Sequence, residues 1–361
     1  MKILHIENGR FFYGGPQQVL YLCSGLNNHG IENILICHPE SDLSKIAKRH
    51  DLRVIELPCK GDLDLFFAFR LFKVIRNEKP DIIHCHSRRG GDYLGGIVAH
   101  CLNIPAILSR RVDSLEFNFM TRLRHALFVK IIAISKNIYN ILSLSEKYSH
   151  KLVLIRSAVD SQRFLITSKK EDFLKKFDLN LNDFVIVTAG QLIPRKDHQF
   201  LITSVANLRK LYPQIKLIVF GRGQLNKELK NQIRELELED YVILAGFDIE
   251  LDNYLSHFDL LVHPANAEGL GVILMKAGAA GLPVVALNTG GISEVIKNGK
   301  TGLLAEVGDR YTFENHIGRL ICSEALRKEF SLAAKEHIKM EFSLQQMLKK
   351  HIQLYESICN E

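Results

Sequence analysis

Short apolar segments alternate with longer amphipathic ones along most of the 361 residues. The apolar segments are rich in Val, Ile and Leu, which is typical of strands that are buried on both faces of a parallel sheet. Such strands, separated by helical segments, predict a parallel sheet with helices on both faces. The predicted strands cover residues 2–6, 33–37, 54–57, 81–85, 106–108, 130–134 and 152–155, and then 184–190, 215–220, 241–245, 259–263 and 284–287.

The alternation is interrupted between residues 156 and 181, where charged residues cluster and the apolar strand pattern stops. A chain of this length has room for two domains of ordinary size. We therefore predict an α/β protein with two doubly wound parallel-sheet domains, residues 1–165 and 166–341, and a C-terminal helix, residues 342–361. The other helices of the first domain are predicted at residues 17–29, 41–50, 63–77, 91–102, 117–128 and from 135 onward.

The most informative stretch, residues 263–296, contains two turns that each join a strand to a helix. The first turn carries a carboxylate, Glu268. The second carries the pair Gly290–Gly291, and Ser293 is the predicted N-cap of the helix that follows. Both turns lie at the carboxyl edge of the predicted sheet, where ligands bind in open α/β folds. We therefore expect a ligand site at this edge.

This stretch resembles the signature region of the retaining glycosyltransferases of family 4, also called group 1, which have the GT-B fold and in bacteria build lipopolysaccharide and other envelope glycans. The matching residues are Glu268, Gly269, Gly271, Gly281, Pro283, Val284, Val285, Ala286, Gly290, Gly291 and Glu294. Lys276 departs from the pattern, because the family has a second Glu there. The resemblance implies two Rossmann-like domains that face each other across a cleft, with the last helix crossing back to the first domain. It assigns the acceptor to the first domain and the nucleotide sugar to the second, near Leu270, Gly271 and Lys276.

Two adjacent cations, Arg195 and Lys196, follow the strand that ends near Gly190. Guanidinium and ammonium groups both suit a diphosphate, and a solvated surface pair is the alternative. In the family, an Arg follows this first glycine and a Lys stands five residues later. Here Gln191 replaces the Arg, and Lys196 keeps the Lys.

The segment FGRGQL, residues 220–225, contains two of the three glycines of a dinucleotide fingerprint. The incomplete motif is weak evidence for NAD. In the family this turn lies near the nucleotide base, which implies donor contacts from Arg222 and from the backbone near Gly246. A plain tight turn is the alternative.

In the first domain, Gly14–Gly15 match the glycine loop that lets the family's backbone approach the sugar diphosphate, although such a pair also occurs by chance in turns. His84 and His86 point to one face of a strand. The family has the same His-x-His pattern, which makes His86 the candidate active-site histidine and His84 a core histidine. A pair of metal ligands is the alternative, but no third ligand with suitable spacing is evident.

Positive charge is concentrated in the first domain. Residues 1–160 contain 22 Lys and Arg against 15 Asp and Glu, whereas the remainder is neutral. Two arginine pairs follow neighbouring predicted strands, Arg88–Arg89 and Arg110–Arg111. They indicate an anionic acceptor, such as a phosphorylated lipid-linked sugar, or else structural salt bridges. Nucleic acid is not expected as a partner.

The seven cysteines are scattered and never spaced Cys-x-x-Cys, which favours a reducing cytoplasm. The N-terminus is too short for a signal-peptide core, and no apolar run approaches the ~20 residues that cross a bilayer. Residues 63–77 and 117–130 combine Phe with Lys and Arg, as interfacial helices do. Phenylalanines at helical spacing also fill cores, so both interpretations stay open. We expect a cytoplasmic protein with peripheral contact at the inner face of the cytoplasmic membrane.

Together, these features predict a hexosyltransferase that uses a nucleotide sugar, most simply a UDP-sugar, and an envelope glycan or glycolipid acceptor. Lys196 and Arg195 would stabilise the leaving diphosphate, and Glu268 would hold the sugar hydroxyls. The resemblance implies retention of configuration, with neither a metal nor another cofactor. The Asp-x-Asp at residues 62–64 precedes a predicted helix and is interpreted as an N-cap.

Two competing functions stay open at this point. Lys276 has no acceptor for ribose hydroxyls, which allows a catalytically silent scaffold or binding subunit of the same fold. A nicotinamide oxidoreductase is disfavoured by the incomplete glycine fingerprint.

Overall fold

The computed structural model describes residues 1–86, 90–113, 119–144, 146–165 and 168–360, so that Arg88 and Arg89 lie outside it. The chain divides into two compact units. Unit 1 consists of Met1–Ala158 and Leu344–Glu361, and unit 2 consists of Val159–Ser343. The first division precedes the predicted residue 165, because Ser161–Leu165 packs on a helix of unit 2.

In the described part of unit 1, the strands form a single parallel sheet in the order 3-2-1-4-5-6-7. The strands are β1 (Lys2–Glu7), β2 (Glu32–Cys37), β3 (Arg53–Glu56), β4 (Ile82–Cys85), β5 (Ala106–Arg110), β6 (Lys130–Ala133) and β7 (Leu152–Leu154). The helices are α1 (Gly14–Asn28), α2 (Asp42–Arg49), α3 (Leu65–Glu78), α4 (Gly91–Cys101), α5 (Phe119–Ala126) and α6 (Lys136–Ser143). The strand order reverses between β1 and β4, which is where open α/β sheets bind ligands.

In unit 2 the described strands form a second parallel sheet, in the order 10-9-8-11-12-13. They are β8 (Phe184–Ala189), β9 (Ile215–Phe220), β10 (Val242–Gly246), β11 (Leu260–His263), β12 (Val284–Leu287) and β13 (Leu303–Ala305). The helices are α7 (Lys170–Lys176), α8 (His198–Leu208), α9 (Asn226–Glu235), α10 (Val272–Ala280), α11 (Ile292–Val295), α12 (Arg310–Cys322) and α13 (Glu324–Glu341). Here the order reverses between β8 and β11. The predicted fold class of two doubly wound parallel sheets is confirmed.

The last helix, α14 (Leu344–Asn360), returns to unit 1 and packs on α1. Gly25 faces the side chain of Leu348 so closely that a Cβ at this position would collide with it. Tyr355 is fully buried and reaches the central strands of the sheet. The C-terminal helix is therefore part of the unit 1 core.

Helix α3 explains two of the sequence patterns. Asp64 caps its N-terminus by accepting a hydrogen bond from the backbone N–H of Phe67 at 2.9 Å, as predicted for the Asp-x-Asp segment. Phe67 is fully buried, whereas Phe66 is 80% exposed. The Phe-rich helix therefore contributes to the core on one side and exposes aromatic rings on the other. No helix in the described part of the chain is long and apolar enough to span a membrane.

Candidate active site

The carboxylate of Glu268 lies at the reversal point of the unit 2 sheet, in the loop between β11 and α10. Its Oε2 is paired with the ammonium of Lys196, which comes from the loop after β8. The same oxygen is 3.0 Å from Nε2 of His263, the last residue of β11. Loops from two adjacent strands thus place a cation, a carboxylate and an imidazole together. The sequence predicted Lys196 and Glu268 at this edge, but not His263.

The environment keeps Glu268 ionised. Burial by itself would raise its pKa, but the Lys196 charge and the hydrogen bond from His263 outweigh burial and lower the pKa below the ordinary value. For His263, burial lowers the pKa, and this effect outweighs the hydrogen bond to Glu268, which would raise it. At neutral pH a neutral His263 therefore donates from Nε2 to a charged carboxylate. The carboxylate keeps further lone pairs for a hydroxylated ligand.

Arg195 lies beside this centre but is exposed. Its carbonyl accepts a backbone bond from Asn266 at 3.0 Å, which joins the β8 loop to the Glu268 loop. Gly190 sits under the Lys196 side chain, and a Cβ there would lie 3.6 Å from it. The two predicted cations are therefore adjacent in sequence but differ in environment. Of these two cations, only Lys196 pairs with a carboxylate in the part of the chain that the structure describes.

The glycines of FGRGQL are explained by backbone contact. A Cβ on Gly221 would collide with the carbonyl oxygen of Gly190, and a Cβ on Gly223 with that of Leu192. The N–H of Gly221 donates to the carbonyl of Gly246 at 2.8 Å, so the loops after β8, β9 and β10 are joined. The guanidinium of Arg222 lies 4.5 Å from the Phe247 ring centroid. Close approach of neighbouring loops, rather than a complete dinucleotide motif, accounts for these glycines.

The second glycine turn packs directly on the Glu268 loop. The N–H of Gly291 donates to the carbonyl of Glu268 at 3.2 Å. Gly291, not the predicted Ser293, is the N-cap of α11, because the helix begins at Ile292. Gly290 and Gly271 both adopt positive φ angles, which favour glycine. Leu270 is buried, so its side chain belongs to the core of unit 2.

Lys276, the departure from the family pattern, has a specific partner. Its ammonium lies 2.8 and 3.0 Å from the two carboxylate oxygens of Asp252. Nε of Arg163 is 3.4 Å from the same carboxylate. The side chains of Lys276 and Asp252 are only 16% and 5% exposed. A buried carboxylate from another segment therefore neutralises Lys276, a pairing that the sequence gives no means to detect.

In unit 1, His86 follows β4 at the point where the strand order reverses. Arg111 Nη2 lies 3.5 Å from its Nδ1. The Arg111 side chain also lies under Gly15, where a Cβ would be 3.5 Å from it. Gly14 is the first residue of α1, and Arg110 is buried at the end of β5. The structure thus brings together His86, Arg111 and the glycine pair.

A third histidine joins the predicted His-x-His pair. β1 pairs with β4 so that His5 lies opposite His84, and the ligand atoms of His5, His84 and His86 lie within 4.8 Å of one another. This corrects the sequence-based view that no third candidate ligand exists, because 79 residues separate two positions that the sheet register brings side by side. Both nitrogens of His84 are already bonded, to the Tyr355 hydroxyl at 2.7 Å and the Ser109 hydroxyl at 2.8 Å. His84 is therefore a satisfied core histidine, as predicted.

Two doubly wound parallel sheets, each with polar side chains gathered at its reversal point, match the architecture of the GT-B fold. A family profile described as "Glycosyltransferase Family 4" matches residues 13–163, and one described as "Glycosyl transferases group 1" matches residues 169–337. The chain belongs to the group 1 glycosyltransferases of family 4. The predicted resemblance is confirmed.

Individual relatives agree with this family. The chain is 25% identical over 348 residues to the UDP-Gal:alpha-D-GlcNAc-diphosphoundecaprenol alpha-1,3-galactosyltransferase of Escherichia coli, covering 90% of this chain and 89% of that one. It is 23% identical to the lipopolysaccharide core biosynthesis glycosyltransferase LpsE of Rhizobium meliloti, covering 99% of both. The crystal structure of Anabaena HepE in complex with UDP-glucose superposes with a TM-score of 0.89 at 20% identity, covering 99% of this chain and 100% of that one.

Proposed function

We propose that this glycosyltransferase moves a hexose from a UDP-sugar to a lipopolysaccharide or another envelope glycan or lipid-linked acceptor. The observation that carries the proposal is the largely buried group of Lys196, Glu268 and His263 at the reversal point of the unit 2 sheet. The names of the relatives support the choice of substrates, because one uses UDP-Gal with a diphosphoundecaprenol-linked sugar and another acts in lipopolysaccharide core biosynthesis. The HepE structure contains UDP-glucose.

Donor binding is assigned to unit 2. Lys196 and Arg195 stabilise the negative charge that develops on the leaving diphosphate. Glu268, held ionised, accepts hydrogen bonds from sugar hydroxyls. The remaining donor contacts come from residues at the loops around this centre, namely Gly190, Arg222, Gly246, Leu270, Gly271, Gly290 and Gly291.

Acceptor binding is assigned to unit 1, with His86 and Arg111 as its central groups. Gly14–Gly15 of the same unit are assigned instead to the sugar diphosphate of the donor. Arg110 completes the proposed subsite for an anionic acceptor, together with Arg88 and Arg89, which lie outside the described residues. We propose that the reaction retains the anomeric configuration and that the leaving phosphate takes the proton of the attacking hydroxyl. Lys196 balances the charge of that phosphate, so the proposed reaction requires neither a metal nor another cofactor.

A catalytically silent scaffold is the weaker alternative. It was suggested by Lys276, but the charge of Lys276 is taken up by Asp252, and the Lys196–Glu268 pair is intact.

Purified protein titrated with UDP, GDP, ADP and CMP tests the donor assignment. We expect stabilisation by UDP that is lost in Lys196→Ala and kept in Lys230→Ala, an exposed lysine of the same unit. Transfer from UDP-hexoses to a lipid-linked sugar should continue in EDTA, and NMR of the product should show the donor's anomeric configuration. No response to any nucleotide would contradict the enzyme proposal, and an inverted product would contradict retention.

We also propose that the protein works at the inner face of the cytoplasmic membrane and docks through an apolar surface at the start of α3. This surface consists of Leu63, Leu65, Phe66 and Phe69, which are 86%, 75%, 80% and 59% exposed. The Lys73 ammonium lies 4.4 Å from the Phe69 ring centroid, and the exposed Lys60 lies nearby in sequence. Aromatic rings beside cations suit a bilayer that contains anionic lipids.

Vesicle sedimentation tests this docking surface. Binding to phosphatidylglycerol vesicles should exceed binding to phosphatidylcholine vesicles and should be lost in the double variant Phe66→Ser, Phe69→Ser. Leu211→Ser removes an equally exposed apolar side chain from unit 2 and should leave binding unchanged. Equal binding of the wild type and the Phe double variant would refute the assignment.

A further inference from the structure

The candidate active-site histidine is the end of a chain of hydrogen bonds that runs into the unit 1 core. His86 Nε2 lies 3.0 Å from His5 Nδ1, and His5 Nε2 lies 2.9 Å from Oδ1 of Asn33. The two imidazole rings are nearly coplanar, with their centroids 5.3 Å apart and their planes inclined by 20°. The rings are therefore joined edge to edge by one hydrogen bond.

The direction of every bond in this chain follows from Asn33. Its Nδ2 donates to the carbonyl of Ile31 at 2.7 Å, and a carbonyl can only accept. Nδ2 also contacts Oδ1 of Asn27 at 2.8 Å. The amide oxygen of Asn33 must then face His5. Because that oxygen cannot donate, the N–H of His5 is on Nε2.

A neutral imidazole has one N–H and one bare nitrogen. With its N–H on Nε2, His5 presents a bare Nδ1 to His86, so that His86 must donate from its own Nε2. The bare nitrogen of His86 is then Nδ1, on the side of Arg111. Arg111 is a donor only, so this tautomer suits it as a neighbour.

Burial keeps the two histidines of this hydrogen-bond chain uncharged. It lowers the pKa of His5 to about 4, against the opposing effect of the bond to Asn33. Burial, followed by the proximity of His84, His5 and Arg111, holds the pKa of His86 well below the usual range. At neutral pH each histidine therefore carries a single N–H, as the chain requires.

We propose that Asn33 and His5 are positioning residues, which lock His86 in the tautomer with a bare Nδ1 so that it accepts a hydrogen bond from a substrate hydroxyl. The catalytic consequence rests on the proposed function, but the tautomer itself does not. His84 is outside the chain, because its nitrogens bond to Tyr355 and Ser109. It packs against the face of His86, with ring centroids 3.8 Å apart, and limits rotation of that ring.

The tautomer can be read directly from the intact protein without any substrate. Long-range proton–nitrogen NMR of protein labelled with ¹⁵N-histidine distinguishes a protonated ring nitrogen from a bare one. We expect His86 and His5 each to show a protonated Nε2 and a bare Nδ1. A protonated Nδ1 on His86, or a mixture of both tautomers, would overturn the proposal whether or not the protein proves to be a glycosyltransferase.

Variants of His5 test the consequence for the reaction. His5→Met removes the acceptor and should lower kcat about tenfold, with less than a twofold change in KM. This is less than the ~10²-fold that loss of a catalytic acid or base costs, because His86 itself remains. His5→Gln keeps an acceptor oxygen for His86 and should recover most of that loss. Asn33→Leu should allow both His5 tautomers and appear as a mixed His86 signal in the NMR spectrum.

Ser109→Ala is the matched control, because it removes a hydrogen bond from His84 in the same buried cluster and leaves the Asn33–His5–His86 chain intact. We expect it to keep the wild-type kcat. Melting temperatures identify any variant that fails to fold. In that case the His86 tautomer, measured by NMR in the intact wild-type protein, decides whether the proposal stands. Full kcat in His5→Met, or an equal loss in Ser109→Ala, would refute the positioning role.

Discussion

The pairing of Lys276 with Asp252 makes a quantitative prediction. Replacing Lys276 by Met leaves the Asp252 carboxylate, only 5% exposed, with Arg163 as its cation at 3.4 Å. Removing one partner of a buried ion pair is costly because the other charge stays out of water. Replacing both residues, in Lys276→Met with Asp252→Asn, removes the uncompensated charge. The double variant should therefore be more stable than the sum of the single losses predicts.

The geometry sets the size of this effect. At the observed separations of 2.8 and 3.0 Å, two unit charges attract by ~6 kcal/mol with an effective dielectric constant of 20, before desolvation is subtracted. Breaking a buried pair typically costs about 3–5 kcal/mol. Because Arg163 still contacts Asp252, we expect about 2–3 kcal/mol for Lys276→Met and a coupling energy of about 2 kcal/mol in the cycle.

Differential scanning calorimetry of the four proteins is the assay. For a unit of this size, the single variant should lower Tm by about 5–10 °C. Lys328→Met breaks an exposed ion pair with Glu324 and should change stability by less than about 0.5 kcal/mol. A coupling energy near zero would refute the pairing. A large loss of UDP affinity in a stable double variant would instead assign Lys276 a direct role at the donor.

Three further predictions concern single positions. Glu268→Gln should lower kcat by about 10²-fold or more in a UDP-hexose transfer assay, because it removes a preorganised charge, and wild-type kcat would contradict the site. His351 has its pKa lowered to about 4 by burial, so the unfolded chain takes up a proton first as the pH falls. Urea unfolding should show about 2 kcal/mol of stability lost between pH 7 and pH 5 through this residue, and His351→Gln should remove that part of the slope. Gly221→Ala should destabilise the protein by more than ~2 kcal/mol in the same assay, because its Cβ meets the Gly190 carbonyl. Gly246→Ala has a positive φ but open space and should cost only ~1–2 kcal/mol; equal costs would refute the steric argument.

Most of the fold can be predicted from the sequence, because buried parallel strands are continuous apolar runs. Strands such as Lys2–Glu7 and Val284–Leu287 match their predicted ranges to within a residue. Leu303–Ala305 was missed, because its apolar run ends at Gly302 and Glu306 and is shorter than the four-residue run that predicted Leu152–Leu154. The residue that begins α11 was also misjudged, because Ser293 is a common cap while Gly291 supplies only backbone.

The candidate site could be predicted only where motifs identify residues. Glu268, Lys196 and His86 were found because each stands in a recognisable local pattern next to a strand end. Their partners were not found, because pairing depends on distant segments. His5 reaches His86 through the register of two strands, and Asp252 reaches Lys276 from a loop 24 residues away.

Helix α14 has a consequence for how the polypeptide matures during synthesis. Unit 2 is one continuous segment, whereas unit 1 needs both Met1–Ala158 and Leu344–Glu361. Ile3, Leu22 and Ile82 are covered in part by side chains of α14, including Met347 and Tyr355. During synthesis, residues 1–158 are made before unit 2 and α14. The apolar residues that α14 covers therefore stay exposed to solvent until unit 2 has been synthesised. The N-terminal segment of unit 1 therefore becomes native only after α14 has been made. Cleavage of the chain before residue 344 would expose the apolar residues that α14 covers.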